Sequence, residues 1–307
     1  MMNNKYFFKL YADFLRSFLK IKRPVKIVFD CSNGTTGLVL RNLLKAKSSK
    51  LKAILINDKP DGNFPGHGPN PLAKGAMKQL QNEVKKQKAD MGAIFDADGD
   101  RVFFIDNLGR AVSSDEVGYA LMQKFKPPYP INVNSSWLIK KIKGTFAGRT
   151  GHFFLKNIMR KNKAEFGAEF SGHFYYKDFF YCDSGIFTAV KMINFVSGLK
   201  TDFASWRDKL PKYYHSGEIN LRVADKVAVM ERLEKKYKNK AKFISKLDGI
   251  WMEFSGVSRK SGQNSDEFWF NARPSNTEDI LRLSVEAVSR KVMNEKLGEI
   301  KKIIARY

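Results

Sequence analysis

The chain has 307 residues, 43% of them apolar, which is enough to bury two or three ordinary cores and argues for several domains. Lysine and arginine outnumber aspartate and glutamate 55 to 31, a formal net charge of +24 that draws nucleic acid, anionic membrane surfaces and phosphorylated metabolites alike. The lysines are spread along the whole chain, as at Lys235, Lys236, Lys238 and Lys240, which reads as a biased surface rather than one footprint, and no run approaches the roughly 20 apolar residues of a membrane span.

At the N-terminus, Phe7, Leu10, Tyr11, Phe14, Phe18 and Leu19 recur near helical spacing, so residues 5–20 are expected to form an amphipathic helix. The segment has no uninterrupted apolar stretch and does not read as a secretory signal. Pro24 ends it. VKIVFD (25–30) follows as a buried strand, SNGTTG leads into a helix near 37–46, and LKAILIN is the next strand. DKPDGNFPGHGPNPL is too rich in Gly, Pro and Asn for regular structure. A helix near 72–88 precedes the strand MGAIF (91–95). VFFID (102–106) follows an acidic loop, and Asn107-Leu108-Gly109 turns the chain. Strands alternating with helices predict an α/β sandwich with a largely parallel sheet.

KPPYP (126–130) marks a boundary, and 131–200 again reads strand, helix, loop, helix. Beyond about 215 the pattern changes. EINLRV, a helix at 225–238, then WMEF, FWFNA, ILRLSVEA and a C-terminal helix predict a smaller antiparallel α+β domain, with SGVSRKSGQNSDE (255–267) as an exposed loop. The expected organisation is a helical segment at 1–23, α/β domains at 24–127 and 128–214, and an α+β domain at 215–307. Cys31 and Cys182 stand in unrelated contexts, which suggests neither a disulfide framework nor a zinc cluster and fits a reducing, cytoplasmic compartment.

Three segments carry chemistry. In DADGDR (96–101), Asp96, Asp98 and Asp100 alternate directly after a buried strand and can converge on one hard cation, a set that suits Mg²⁺. An EF-hand needs glycine at loop position six and glutamate at twelve; here Gly99 is at four and Asn107 at twelve. In GAEFSGH (167–173), Glu169, Ser171 and His173 combine an acceptor, a hydroxyl and an imidazole, the mixture that recognises sugar hydroxyls; a plain loop with a satisfied histidine fits as well. In ARPSNTED (272–279), Arg273 offers a planar fork for phosphate, with Ser275, Asn276 and Thr277 as donors. Alone it reads equally as a polar turn between strands.

Together and in this order, the three loops resemble those of the α-D-phosphohexomutases. VKIVFDCSNGTTG, PDGNFPGHGPNPL, ADMGAIFDADGDRVFFID, RTGHFFLKNIMRKNKAEFGAEFSGHFYYKDFFYCDSGI and WFNARPSNTEDILRLSVEA extend the resemblance over nearly everything from about residue 5 to 307. The resemblance implies two three-layer α/β/α domains with mixed sheets, followed by a smaller α+β domain like the TATA-box-binding protein. It implies Mg²⁺ held by Asp96, Asp98 and Asp100, and a cleft lined by Arg101 and His152. It also implies sugar hydroxyls bound by Glu169 and Ser171 with His173 beside them, and a distal phosphate gripped by Arg273, Ser275, Asn276 and Thr277.

Members of the family carry a preceding domain with a TASHNP-like loop, whose serine is phosphorylated. No such loop occurs in these 307 residues, and Ser135-Ser136 in INVNSSW is no substitute. Asn134 stands where many members place a basic residue, Gly167-Ala168 replaces a glycine pair, and Asp279 replaces a proline. The family interconverts hexose 1- and 6-phosphates, of mannose or glucose, through a 1,6-bisphosphate. The expectation is therefore a phosphohexomutase-type isomerase whose phosphoserine domain is either supplied in trans by another polypeptide or lost. The alternatives are a catalytically silent sugar-phosphate binder and, from charge alone, a nucleic-acid or membrane-surface protein. No nucleic-acid motif supports the last.

Overall fold

The computed structural model describes residues 4–45, 49–256, 266–275 and 278–305. The N-terminal amphipathic pattern folds as α1 (Asn4–Ser17), burying Ala12 and Leu15 while Tyr6, Phe7 and Leu10 stay exposed. Its inner face meets a later helix: Tyr11 Oη lies 3.0 Å from Ser184 Oγ, and Phe18, just past α1, packs edge-on against Phe187 at 4.8 Å.

The first sheet is built from β1 (Val25–Asp30), β2 (Leu51–Ile56), β3 (Met91–Phe95), β4 (Val102–Asp106) and β5 (Ala111–Val112), with α2 (Thr36–Leu44), α3 (Lys78–Lys86) and α4 (Ser114–Met122) between and after them. Its order is β2-β1-β3-β4-β5. β1 runs parallel to β2 and β3, whereas β3 pairs antiparallel with β4 and β4 with β5. The expected largely parallel sheet is thus mixed. The acidic loop 96–101 is too short for the crossover that a parallel neighbour needs, so β4 must return beside β3. The helix expected at 72–88 begins at Lys78, because the preceding turns include Gly75 at φ +86.

The second sheet has the order β10-β9-β8-β6-β7. Its strands are β6 (Tyr129–Asn132), β7 (Thr145–Gly148), β8 (Phe166–Ala168), β9 (Phe174–Tyr176) and β10 (Cys182–Asp183), accompanied by α5 (Trp137–Lys140), α6 (His152–Asn162), α7 (Gly185–Ser197) and α8 (Phe203–Asp208). Short strands of two to four residues here lie below what periodicity resolves, which is why 131–200 read more simply in sequence.

The third sheet is antiparallel throughout, in the order β11-β16-β15-β14-β13 with β12 also paired to β16. It comprises β11 (Tyr214–His215), β12 (Ile219–Arg222), β13 (Phe243–Ser245), β14 (Ile250–Phe254), β15 (Phe268–Pro274) and β16 (Ile280–Ala287), covered by α9 (Lys226–Tyr237) and α10 (Arg290–Ile304). Of the segment expected as an exposed loop at 255–267, residues 257–265 lie outside the described residues. By compactness the chain divides into 1–130 with 156–210, and 131–155 with 211–307. Among the described residues, no helix is long and apolar enough to cross a membrane.

In the second unit, His215 packs edge-on against Trp269 at 5.3 Å. Its Nδ1 accepts from Gly217 N at 2.9 Å, and its Nε2 donates to the Asn134 carbonyl at 3.1 Å, so both ring nitrogens are committed to the neutral form. Burial pushes its pKa from 6.5 down to about 4. The unfolded chain therefore takes up this proton first; the stabilisation is whole above 6.5 and is lost as pH falls through 4. The denaturation midpoint is expected to drop between pH 7 and 4, and His215→Gln to flatten that part of the profile.

Candidate active site

The loop 96–101 leaves β3 as its apolar residues end and returns into β4. Asp96 is buried and folds back on the loop: Oδ2 accepts from Arg101 Nε at 2.6 Å, and Oδ1 accepts from the Gly99 and Arg101 amides. Burial raises its carboxyl above the ordinary range, with Arg101 opposing that shift. Asp98 is exposed, and Asp100 is half-buried with Oδ2 3.4 Å from His173 Nε2, which holds its carboxyl low. One oxygen from each aspartate lies within 4.8 Å of the others.

This set fits a hard cation by a second observation. Asp100 Oδ1 is buried and accepts no hydrogen bond. A carboxylate oxygen without a donor is costly in protein and suits an ion that takes oxygen ligands.

The loop is clamped from two sides. Thr35 N donates to the Ala97 carbonyl at 2.9 Å, and Thr35 Oγ1 to the Asp98 carbonyl at 3.3 Å. A β-carbon at Gly34 would fall inside contact distance of the Ala97 carbonyl. On the other side Gly185 N donates to the Gly99 carbonyl at 2.9 Å, and a β-carbon at Gly185 would meet the Gly99 and Arg101 carbonyls at 2.9 and 2.7 Å. Both glycines are thus required by close backbone approach.

Between β8 and β9 the segment 169–173 makes a tight loop, with Glu169 N donating to the His173 carbonyl at 2.9 Å and Gly172 at φ +91. Val102 N donates to the Gly172 carbonyl at 3.2 Å, which brings this loop beside the aspartates. Glu169 is buried and accepts from Tyr175 Oη at 2.7 Å, while Ser171 Oγ lies 2.8 Å from His173 Nδ1. Asp96, Asp98, Asp100, Arg101, Glu169, Ser171 and His173 therefore share one neighbourhood within the first unit. Tyr175 and Asp183 belong to it as well and were not anticipated. Nothing local in the sequence distinguishes them from the aromatic and polar residues around them.

In the second unit, Arg273 is the penultimate residue of β15. Its Nη2 donates to Glu218 Oε2 at 3.0 Å, its Nη1 lies 3.7 Å from Asp248 Oδ2, and its Nε is buried without a hydrogen-bond partner. Glu218 also accepts from Asn134 Nδ2 at 3.1 Å. Ser275 is buried, with its amide donating to the Ile280 carbonyl at 2.9 Å; Asn276 and Thr277 lie outside the described residues. Lys226 Nζ donates to the Ser275 and Glu278 carbonyls at 3.3 and 3.0 Å, tying both ends of the loop. Glu218, Asp248 and Lys226 come from remote segments and had no sequence signal. His152 is the exposed first residue of α6.

Family models for phosphoglucomutase/phosphomannomutase match the chain end to end: α/β/α domain II at residues 5–109, α/β/α domain III at 118–214 and the C-terminal domain at 218–303. The chain belongs to the phosphoglucomutase/phosphomannomutase family. It is 34% identical over 291 residues to a phosphomannomutase of Methanocaldococcus jannaschii, an alignment covering 92% of this chain and 62% of that protein. The chain thus spans less than two thirds of that relative's length. A phosphoglucomutase/phosphomannomutase family protein from Burkholderia thailandensis has the same fold, with TM-score 0.82 at 24% identity over 96% of this chain and 63% of that one. An Aspergillus fumigatus N-acetylphosphoglucosamine mutase, solved with GlcNAc-6P and magnesium, shares the fold at TM-score 0.64 and 16% identity, over 97% and 69%. The mixed sheets of the first two family domains and the antiparallel third sheet agree with the fold class expected from sequence.

Proposed function

We propose that these residues form the substrate- and metal-binding parts of a phosphohexomutase, acting on mannose or glucose 1- and 6-phosphates through a 1,6-bisphosphate. The observation that carries the reading is the convergence of the aspartate loop with Glu169, Ser171 and His173, joined by the 3.4 Å approach of Asp100 to His173. Asp96, Asp98 and Asp100 would hold Mg²⁺, which when bound supplies positive charge where a phosphoryl group moves. Arg101 keeps Asp96 ionised and oriented through its 2.6 Å contact. Glu169 and Ser171 present an acceptor and a hydroxyl to sugar oxygens, with His173 able to hold or pass a proton; His152 carries only the role that the family resemblance implies. Arg273, with Ser275, Asn276 and Thr277, grips the unreacting phosphate.

For the phosphoryl carrier we take a phosphoserine on a separate family domain, supplied in trans or in a longer chain. A cytoplasmic setting agrees with the two free cysteines.

Calorimetric titration tests the reading directly. Glucose 1,6-bisphosphate is expected to bind more tightly than glucose or mannose. Arg273→Ala should cost about 1.5–3 kcal/mol, roughly ten- to a hundredfold in affinity, the scale of a hydrogen bond to a charged group. Equal binding of phosphate-free sugar, or a silent substitution, would reduce 273–277 to a structural turn. Bisphosphate binding without turnover once a phosphoserine domain is supplied would instead favour a silent sugar-phosphate binder.

A further inference from the structure

Beside the aspartate loop a second set of ligating groups converges. Asp100, His173 and Asp183 each offer one donor atom, and these lie within 4.8 Å of one another. His173 Nε2 is 3.4 Å from Asp100 Oδ2, long for an N–H···O hydrogen bond. Two donors each about 2.0–2.1 Å from a tetrahedral ion stand about 3.3–3.4 Å apart. The pair already has that spacing.

The opposite side of the imidazole is also arranged for a metal. Ser171 Oγ lies 2.8 Å from Nδ1. With a proton kept on Nδ1 and donated to that hydroxyl, loss of the Nε2 proton to solvent on cation binding would free Nε2 to ligate, the arrangement typical of metal-bound histidines. Asp183 has a side chain only 7% exposed, with Oδ1 3.2 Å from Lys156 Nζ and Oδ2 buried without a hydrogen-bond partner. Asp100 Oδ1 is equally without one. One donor atom from each of the two carboxylates and the imidazole thus lies close enough to share a cation, and Asp183 adds a nearly buried carboxylate with one oxygen unpartnered.

We infer that Asp100, His173 and Asp183 form a site for a borderline transition cation such as Zn²⁺ or Co²⁺, and that its occupation excludes a hard cation from the aspartate loop. Imidazole favours such metals, whereas Mg²⁺ takes oxygen ligands and keeps its waters. Asp100 belongs to both sets and serves one at a time. The site stands on its own three residues; only the exclusion rests on the aspartate-loop reading given above. A transition metal from solution would then act as an inhibitor by taking a ligand of the magnesium loop.

Co²⁺ titration of the full chain decides it, read by visible absorption and by the ring signals of its four histidines in NMR. The expected result is an intensified Co²⁺ spectrum and selective loss of the His173 ring signal. Affinity should fall at least about tenfold in His173→Gln and in Asp183→Asn, no less than the loss of an outer-shell partner costs. It should hold in Asp98→Asn. Lys156→Met removes the amine that shares Asp183 and should tighten Co²⁺, a gain that misfolding cannot imitate. Binding lost in Asp98→Asn but unmoved in His173→Gln would overturn the site and return the ion to the three aspartates. Co²⁺ affinity indifferent to millimolar Mg²⁺, with the His173→Gln loss intact, would overturn the exclusion alone.

Discussion

Adding a phosphorylated serine-loop domain of the family is expected to switch on interconversion of mannose or glucose 1- and 6-phosphates, and the purified chain by itself is expected to show none. Asp96, Asp98 and Asp100 can hold a cation and Arg273 can position a phosphate, but transfer needs an atom that accepts the phosphoryl group from one sugar end and returns it to the other. Removing a nucleophile from a well-built site costs on the order of 10⁶-fold in rate, so the contrast between the two assays should be very large. Coupled assays with glucose 1-phosphate and mannose 1-phosphate, with and without the added domain, measure it. Sustained turnover by the lone chain, persisting after host mutases are removed, would mean that one of these 307 residues is itself the acceptor. An Asp98→Asn chain should gain little from the added domain if the aspartate loop serves the transfer.

The second large effect concerns stability. Trp269 is fully buried in β15, and its Nε1 donates to Glu286 Oε2 at 2.8 Å. That same oxygen accepts from the Trp137 amide at 2.8 Å, so the indole is one of the donors that make a buried carboxylate tolerable. Burial still pushes the Glu286 carboxyl upward against those bonds. Trp269→Ala would open a cavity between Trp137 and Trp251 and leave the carboxylate short of a donor. The loss expected is about 3–5 kcal/mol from the side chain alone, a large share of the 5–15 kcal/mol typical of a whole domain. Equilibrium denaturation followed by circular dichroism checks this. A shift below about 1 kcal/mol would show that the three-tryptophan cluster carries little of the unit's stability. Trp269→Phe, which keeps an aromatic ring but not the N–H, separates the cavity from the lost hydrogen bond.

Much of the site's chemistry was written in local sequence because its loops are local. DADGDR places three carboxylates within five positions directly after a strand that periodicity identifies, and any chain turning there brings them within reach of one ion. GAEFSGH closes between β8 and β9 on the same grounds, its small residues permitting the turn at Gly172. Helices with clear amphipathic spacing, such as α1 and α9, and strands with long apolar runs, such as β1 and β3, were legible for the same reason: burial of one face is encoded residue by residue. Family membership was legible too, since several such segments occur in one order.

What required the tertiary structure is every contact between segments distant in the chain. That Asp100 faces His173, that Tyr175 caps Glu169 and that Asp183 joins the same cluster depend on which strands lie side by side. Sheet order is set by crossover lengths and packing, not by the residues that later meet. Gly34 and Gly185 likewise show their purpose only once the backbones they admit are in place on either side of the aspartate loop. A carboxylate's neighbours are invisible in its own stretch of sequence, because electrostatic and hydrogen-bonding partners act through space over a few ångströms while the chain joining them runs for tens of residues.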